Sequence, residues 1–254
     1  MRERIQKLLA ARGIGSRRQV EAWIAEERVT VNGKPARPGQ PIDERDDVRL
    51  DGRRLRLGRG ADAPHRGIAY HRPAQEGVRS SSDAAPSALE KLPKASGHRW
   101  VPVSPLSPRD AGLELFVTDG ALAAGLTKRG YAITIEYSVR ARGAFEEAVI
   151  KERLQEQAES AGLKGRVEEV ALTGGEGSNR WLQVTVTGLR PRDLREIFAG
   201  CGIEANRILR TRFGPIAMDR VLARGRSRAL TEGELRSLRE LASARPAGSR
   251  STGR

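Results

Sequence analysis

The stretch from His98 to Gly120, HRWVPVSPLSPRDAGLELFVTDG, constrains the fold more than any other part of the chain. Its apolar residues Leu113, Leu115, Phe116 and Val117 are typical of a β-strand, and a loop punctuated by prolines precedes them. The strand ends in a Thr-Asp-Gly turn that begins at Thr118. We therefore expect a sheet strand here, and the rest of the chain can be arranged around it.

Composition indicates a folded protein with an anionic partner. The chain has 254 residues, of which 38% are hydrophobic and 31% charged, enough for one large domain or two modest ones. Its formal net charge of +14 favours binding to a polyanion. Nucleic acid is the commonest such partner and an anionic membrane surface the next, while a charge that serves only solubility is the remaining alternative.

Two further features narrow the class of protein. No apolar run reaches the length of a membrane span, and the N-terminus lacks the hydrophobic region of a signal peptide, so we expect a cytoplasmic protein. The single cysteine, Cys201, excludes an intramolecular disulfide and a cysteine-based zinc site.

Residues 1–58 show the pattern of a small independent module. An apolar repeat at helical spacing begins at Ile5, and the capping-box pattern from Ser16 to Gln19 starts a second helix. Short β-type segments follow, joined by Asn32-Gly33 and Asp51-Gly52, which are strong hairpin signals. Two small helices and short strands are therefore predicted.

This module resembles the RNA-binding domain named after ribosomal small-subunit protein S-four. The resemblance rests on Gly15 to Arg18, on Arg28 to Lys34 and on the Asp51-Gly52 turn. Basic residues stand in the first turn of the second helix, where free backbone N–H groups also favour phosphate. A solvated charged face is the alternative. The expected RNA-binding residues of the module are Arg17, Arg18, Lys34, Arg53 and Arg54.

Beyond a linker at 59–66, residues 67–244 resemble the catalytic domain of the RsuA/RluB-type ribosomal RNA pseudouridine synthases, and a basic tail at 245–254 is expected to be disordered. In that family a Gly-Arg-Leu-Asp loop carries the essential aspartate and leads into a strand that ends in Thr-Thr-Asp-Gly. The loop here reads Ser104-Pro105-Leu106-Ser107, so Ser107 takes the position of the nucleophile. The resemblance implies an α+β fold with a mixed, mainly antiparallel sheet.

Three other segments carry the same resemblance. Tyr137 lies in a Glu-Tyr-x-Val motif whose tyrosine stacks on the target base in the family, and Arg210 matches the basic residue that normally pairs with the aspartate. The resemblance implies a base pocket of Tyr137, Leu209 and Arg210. The segment from Gly188 to Arg195 resembles the arginine-rich start of a family helix. Its expected RNA-binding residues are Arg190, Arg192 and Arg195.

Two hypotheses about function follow. A serine hydroxyl is a poor nucleophile unless a neighbouring base removes its proton, so the first is a binding protein that holds structured RNA, ribosomal or from a ribosome precursor, without isomerase activity. The second is a divergent synthase that uses Asp110, three residues after Ser107, or another acid that the motifs do not identify. A DNA or membrane-surface binder driven by charge alone is a third class. We expect a monomer without cofactor or metal in either of the first two cases.

Overall fold

A computed structural model describes residues 2–55, 57, 64–78, 87–95, 98–144, 146 and 148–244. The chain divides into two compact units: one takes in 1–66, 93–101 and 118–120, and the other takes in the remainder. The expected linker at 59–66 lies largely outside the described residues, and the expected tail at 245–254 lies wholly outside them. The domain limits 1–58 and 67–244 stay predictions.

The first unit is built from two short helices and short antiparallel strands. Its elements are β1 (Glu3–Arg4), α1 (Ile5–Ala11), α2 (Arg17–Ala25), β2 (Val29–Val31), β3 (Lys34–Pro35), β4 (Pro41–Ile42), β5 (Val48–Leu50) and β6 (Arg53–Arg54). The predicted capping box is confirmed, because Ser16 Oγ accepts from the Gln19 amide over 3.0 Å and Gln19 Oε1 accepts from the Ser16 amide over 2.8 Å. The helix therefore starts where the sequence predicts it.

Both predicted hairpin turns are present in this unit. Asn32 and Gly33 have φ values of 52° and 81°, and Asp51 and Gly52 have values of 50° and 76°. Positive φ at both central residues is the geometry that joins two right-handed twisted strands. The strands β3, β2, β5 and β6 lie side by side in that order. Their inner side chains and those of the helices form one apolar core, which includes Ile5, Leu9, Val20, Ile24, Val29, Ile42 and Val48.

The second unit is an α+β domain around one large mixed sheet. Its strands are β7 (Gly67–Arg72), β8 (Val101–Val103), β9 (Ala111–Val117), β10 (Thr134–Arg142), β11 (Arg166–Glu176), β12 (Asn179–Thr187), β13 (Glu204–Phe213), β14 (Ile216–Ala217) and β15 (Ser227–Ala229). Its helices are α3 (Ala88–Lys91), α4 (Gly120–Lys128), α5 (Ile150–Ser160), α6 (Pro191–Gly200) and α7 (Glu232–Ser243), with a short 3-10 helix at Gly130–Ala132. The expected fold class is confirmed.

The sheet order is β11-β12-β10-β13-β9-β7-β15, with β14 beside β13 and β8 beside β9. The pairing of β9 with β13 is parallel and covers Leu209 opposite Ala111 and Arg210 opposite Gly112. The registers of β10, β12, β11 and β7 with their neighbours are antiparallel. The short parallel pairing therefore joins two antiparallel halves of the sheet.

Gly112 allows this close approach of β9 and β13. Its φ is +101°, and a Cβ atom at this position would lie 2.3 Å from the Arg210 carbonyl oxygen. A side chain would push the two strands apart. The parallel pairing thus depends on glycine here.

The half of the sheet that contains β10 has one buried face and one face open to solvent. Along β10, Ile135, Tyr137 and Val139 are buried, whereas Ser138 and Arg140 between and beyond them are not. In contrast, all seven residues of β9 are buried, so both of its faces are covered. Strand β9 is thus the centre of the unit, as its apolar sequence predicts. No helix within the described ranges is both long and apolar enough to span a bilayer.

Candidate functional site

The centre of the second unit holds a buried cluster of three charged side chains. Arg72 Nε donates to Glu114 Oε2 over 3.0 Å, and Arg210 Nη2 donates to Glu114 Oε1 over 3.1 Å. The exposed fraction of these side chains is 1% for Arg210 and zero for the other two. The three residues come from β7, β9 and β13, whose register brings their side chains to one face of the sheet. The cluster therefore binds three strands together by ion pairs.

The two arginines also hold the loop before β9. Arg72 donates to the carbonyl oxygens of Ser107 over 2.7 Å and Asp110 over 3.0 Å. Arg210 donates to the carbonyl oxygen of Ser104 over 2.9 Å. Ser104 has a φ of 47°, in the left-handed region that non-glycine residues rarely adopt. The backbone of the loop that carries Ser107 is thus held in place by the guanidinium groups of Arg72 and Arg210.

Glu114 is more than a simple counter-ion. Burial raises the pKa of its carboxyl, and the two guanidinium groups act against that rise. The Leu106 amide also points at the carboxylate, 3.3 Å from Oε1. Because two cations share one carboxylate, backbone carbonyl oxygens take up the remaining guanidinium donors. The cluster is satisfied internally, which a buried ionic group requires.

Asp110 is held by a second pair of contacts beside this cluster. Its Oδ1 lies 2.5 Å from Arg195 Nη2 on α6, and its Oδ2 accepts from Ser107 Oγ over 2.7 Å. The Asp110 side chain is 3% exposed, whereas Ser107 lies at the surface. The carboxylate is thus engaged through both oxygens. It does not pair with Arg210, whose partner is Glu114.

Tyr137 and Arg210 stand opposite one another on adjacent strands and are both buried. Burial raises the pKa of the Tyr137 hydroxyl, with the charge of Arg210 acting against the rise and that of Asp110 adding to it. Leu209 does not join them. Neighbouring residues of a strand point to opposite faces, so Leu209 lies with Ser138 on the other side of the sheet. The expected base pocket is therefore corrected to exclude Leu209.

The basic residues expected to bind RNA in the first unit are all exposed. Arg17 and Arg18 occupy the first turn of α2, which begins after the Ser16 cap. Arg54 has a carboxylate partner, because its Nε lies 3.0 Å from Asp47 Oδ1. The others that project from this surface are Lys34 and Arg53.

The three arginines at the start of α6 have different environments. Arg190 lies over the ring of the exposed Tyr131, 5.9 Å from its centroid. Arg192 is 80% exposed, although its Nε is 3.1 Å from Asp193 Oδ1. Arg195 is 17% exposed and its charge is already matched by Asp110. Arg190 and Arg192 thus face solvent, whereas Arg195 is largely buried against Asp110, and the RNA-binding role expected of all three stays a prediction.

This geometry positions the Ser107 hydroxyl but does not activate it as a nucleophile. A hydroxyl that donates to a carboxylate is positioned but not deprotonated, because a carboxylate is a far weaker base than an alkoxide. Arg195 further neutralises the Asp110 carboxylate. Glu114 is enclosed by β7, β9 and β13 and by the loop above it. Among the described residues, no three His, Cys, Asp or Glu side chains come together as metal ligands would.

Sequence reasoning missed Glu114 and the role of Arg72. Glu114 is a single glutamate between Leu113 and Leu115 in an apolar run, and no role was predicted for it. A charged residue inside a strand that is apolar on both sides is the signal that could have found it, because such a residue needs a buried partner. Arg72 and Arg210 are the partners that this signal implies.

Comparison with known proteins gives the family. Residues 3–55 match the family described as S4 domain. The Ribosomal large subunit pseudouridine synthase B of Pseudomonas aeruginosa is 36% identical over 245 residues, which cover 96% of this chain and 64% of that protein. The chain thus spans slightly less than two thirds of that relative's length.

Two further relatives with the same name are covered more fully. The protein of Pasteurella multocida is 36% identical over 242 residues, 94% of this chain and 70% of that protein. The protein of Escherichia coli strain K12 is 34% identical over 244 residues, 95% of this chain and 84% of that protein. A crystal structure of a pseudouridylate synthase shares the fold, with a TM-score of 0.57, 19% identity and coverage of 93% of this chain and 99% of that one. With an S4 domain followed by this sheet, the chain belongs to the family of ribosomal large subunit pseudouridine synthases of the RluB/RsuA type.

Proposed function

We propose that this chain binds structured ribosomal RNA in the cytoplasm, as a monomer and without a cofactor, and no longer isomerises uridine. The observation that carries the proposal is the state of the carboxylates around Tyr137. Both oxygens of Asp110 are engaged by Arg195 and Ser107, and both oxygens of Glu114 are engaged by arginines. Neither carboxylate is available to attack a sugar or to accept a proton from it.

The resemblance supports the same conclusion from the sequence. It assigns Ser107 to the position of the family nucleophile, and the conversion of uridine requires a glycosidic bond to break and a carbon bond to form. A carboxylate is ionised at neutral pH, whereas a serine hydroxyl needs a strong base beside it. The group beside Ser107 is Asp110, a weak base that is already paired with Arg195.

RNA binding is supported by the surfaces that remain open. The S4 match covers the module that carries Arg17 and Arg18 at a helix start. In the second unit, the exposed Arg190 is the N-cap of α6 and the exposed Arg192 lies in its first turn. Arginines at the N-terminus of a helix are suited to phosphate contacts, which position RNA without reading its bases. The relatives are ribosomal large subunit pseudouridine synthases by name, which supports ribosomal RNA as the target.

One observation favours the alternative, an active and divergent synthase. Asp110 is a buried carboxylate next to Ser107, and an arginine holds it in place. A shift of the loop that released Ser107 would leave Asp110 with one free oxygen beside Tyr137. The alternative therefore names Asp110 as the acid.

The deciding experiment is tritium release from ribosomal RNA labelled at carbon five of uridine, because that hydrogen leaves when the carbon bonds to the sugar. The variants are Asp110→Asn and Ser107→Asp. Since Ser107→Asp alone would set two carboxylates side by side, the exchange variant Ser107→Asp/Asp110→Ser completes the set. Asp219→Asn, at an exposed position, is the matched control.

We expect no release by the wild type, with RNA binding retained, and release by the exchange variant. Release by the wild type that is lost in Asp110→Asn but kept in Asp219→Asn would establish the alternative instead. Binding is measured in the same preparations with Arg17→Ala/Arg18→Ala, which should weaken it. Binding that does not depend on these arginines or on salt would contradict the RNA-binding part of the proposal.

A further inference from the structure

A second charged surface lies on the open face of the sheet, away from the buried cluster. The open sheet face is defined here by side chains of β10, β12 and β13 that point away from Tyr137 and Arg210. Its members include Glu136, Ser138, Arg140, Arg142, Trp181, Gln183, Arg207, Leu209 and Arg212. Each of them is exposed or partly exposed, whereas the residues between them on the same strands are largely buried. The face is thus a solvent-facing platform of the second unit.

Three of these residues form a row across the strands. Arg140 lies directly opposite Trp181 of β12 on one side and Arg207 of β13 on the other. Neighbouring strands are about 4.8 Å apart, so the row spans about 10 Å. An indole ring and two guanidinium groups therefore stand side by side.

The two arginines of the row carry unmatched charge. Like charges directly opposite one another destabilise a strand pair. In the part of the chain that the structure describes, neither Arg140 nor Arg207 forms an ion pair. Arg212, on the same face, differs: its Nε is 2.6 Å from Glu136 Oε1. The electrostatic cost at Arg140 and Arg207 is one that a bound anion would remove.

We propose that the open sheet face is a second RNA site, which takes an unpaired segment of the bound RNA. A phosphate would sit between Arg140 and Arg207, and the adjoining base would stack on Trp181. A base inside a duplex has no free face for an indole, so the segment is single-stranded. An acidic peptide would match the charges but not the ring. The inference rests on the proposed RNA binding and adds a site to it.

The test uses the full chain and two labelled RNAs: a hairpin, and the same hairpin with a single-stranded oligouridine tail. Affinity is measured by fluorescence anisotropy over a range of salt concentrations. For the wild type the tail should raise affinity about tenfold and steepen the salt dependence by about 0.7, for one phosphate contact. In Arg140→Ala/Arg207→Ala the tail should add nothing to the slope, and in Trp181→Ala most of the tenfold gain should be lost.

Arg212→Ala is the matched control, because this arginine of the same face is already neutralised, and the gain from the tail should survive it. These exposed arginines can be removed without opening the core, which thermal unfolding would verify. A tail that adds no affinity in the wild type would overturn the proposal, as would equal losses in Arg212→Ala. Stronger competition by polyglutamate than by oligouridine would assign the face to an acidic protein. Binding of the isolated tail together with no binding of the tail-less hairpin would keep this site and overturn the proposed binding of structured RNA.

Discussion

Arg210 and Glu114 form an ion pair at the centre of the sheet, with Nη2 and Oε1 3.1 Å apart and neither side chain more than 1% exposed. In the family that this chain resembles, the corresponding basic residue pairs with the nucleophilic aspartate. Here its partner comes from within β9 itself. The buried Arg210 therefore holds the strands and the loop before β9 together.

Loss of the Glu114 carboxylate should destabilise the second unit strongly. Glu114→Leu leaves Arg72 and Arg210 buried without a counter-ion, and we expect a loss of about 3–5 kcal/mol in the free energy of unfolding. Urea denaturation measures it. Glu136→Leu, which breaks the half-exposed pair with Arg212, is the control and should cost about 1 kcal/mol or less. Equal losses in both variants would show that burial does not set the strength of the Glu114 pairs.

A side chain at Gly112 should separate β9 from β13. Gly112→Ala places a Cβ atom 2.3 Å from the Arg210 carbonyl oxygen at a φ of +101°, and we expect a loss of about 2–4 kcal/mol. Gly162→Ala shares the positive φ but meets no atom within 4 Å, so it should cost about 1–2 kcal/mol. Thermal unfolding of the two variants separates the clash from the backbone strain. A Gly112→Ala protein as stable as Gly162→Ala would argue against the close approach.

Substitution of Arg195 should lower stability but not RNA binding, and substitution of Arg192 should lower RNA binding but not stability. Arg195→Met removes the partner of buried Asp110 and should cost about 3 kcal/mol or more, with no change in the salt dependence of RNA binding. Arg192→Ala, at an exposed position three residues earlier, should leave stability within about 0.5 kcal/mol. It should lower the salt slope by about 0.7–0.9. Unfolding curves and salt titrations of binding measure both, and a reversed pattern would assign Arg195 to RNA.

The ion pair of Arg228 with Glu234 should make stability depend on pH. The hydrogen bond from Arg228 lowers the pKa of Glu234, so the folded state favours the ionised carboxyl. Its contribution is present above the pKa of the unfolded chain and is lost as pH falls through the lower folded value. Glu234→Gln can keep the capping box with Thr231 and removes only the charge.

We expect this variant to be less stable than the wild type by about 1 kcal/mol at pH 7. The difference should shrink toward zero in strongly acidic solution, where the protonated Glu234 of the wild type is as neutral as the glutamine of the variant. Urea denaturation at neutral and acidic pH measures it. A difference of constant size would point to altered packing of α7 instead.

Local signals predicted the first unit well. The Ser16 cap and the Asn32-Gly33 and Asp51-Gly52 turns depend on residues close in sequence, and the structure has all three where they were expected. In the second unit, β11 was not predicted. Its residues include two adjacent glutamates and two adjacent glycines, and its strand conformation depends on pairing with β12, which is distant from local sequence signals.

The candidate site was predicted only in part, because its contacts join distant segments. Tyr137 and Arg210 lie opposite one another, whereas alternation along β13 puts Leu209 on the other face, and the base-binding role of Tyr137 and Arg210 stays a prediction. The partner of Arg210 was invisible to local patterns. The sequence around Glu114 does not indicate its partners, because they come from β7 and β13, which flank β9 only in the folded sheet.

The parallel pairing of β9 with β13 also sets when the site can form during synthesis. Glu114 is made 96 residues before Arg210. At about 5–20 residues per second, a ribosome needs on the order of 5–20 s to make that interval. Throughout this time β9 has an unpaired edge and a carboxylate without Arg210. Strand β13 must therefore leave the ribosome before the buried cluster can form. In a nascent chain that ends before β13, the first unit can fold while β9 still lacks its parallel partner.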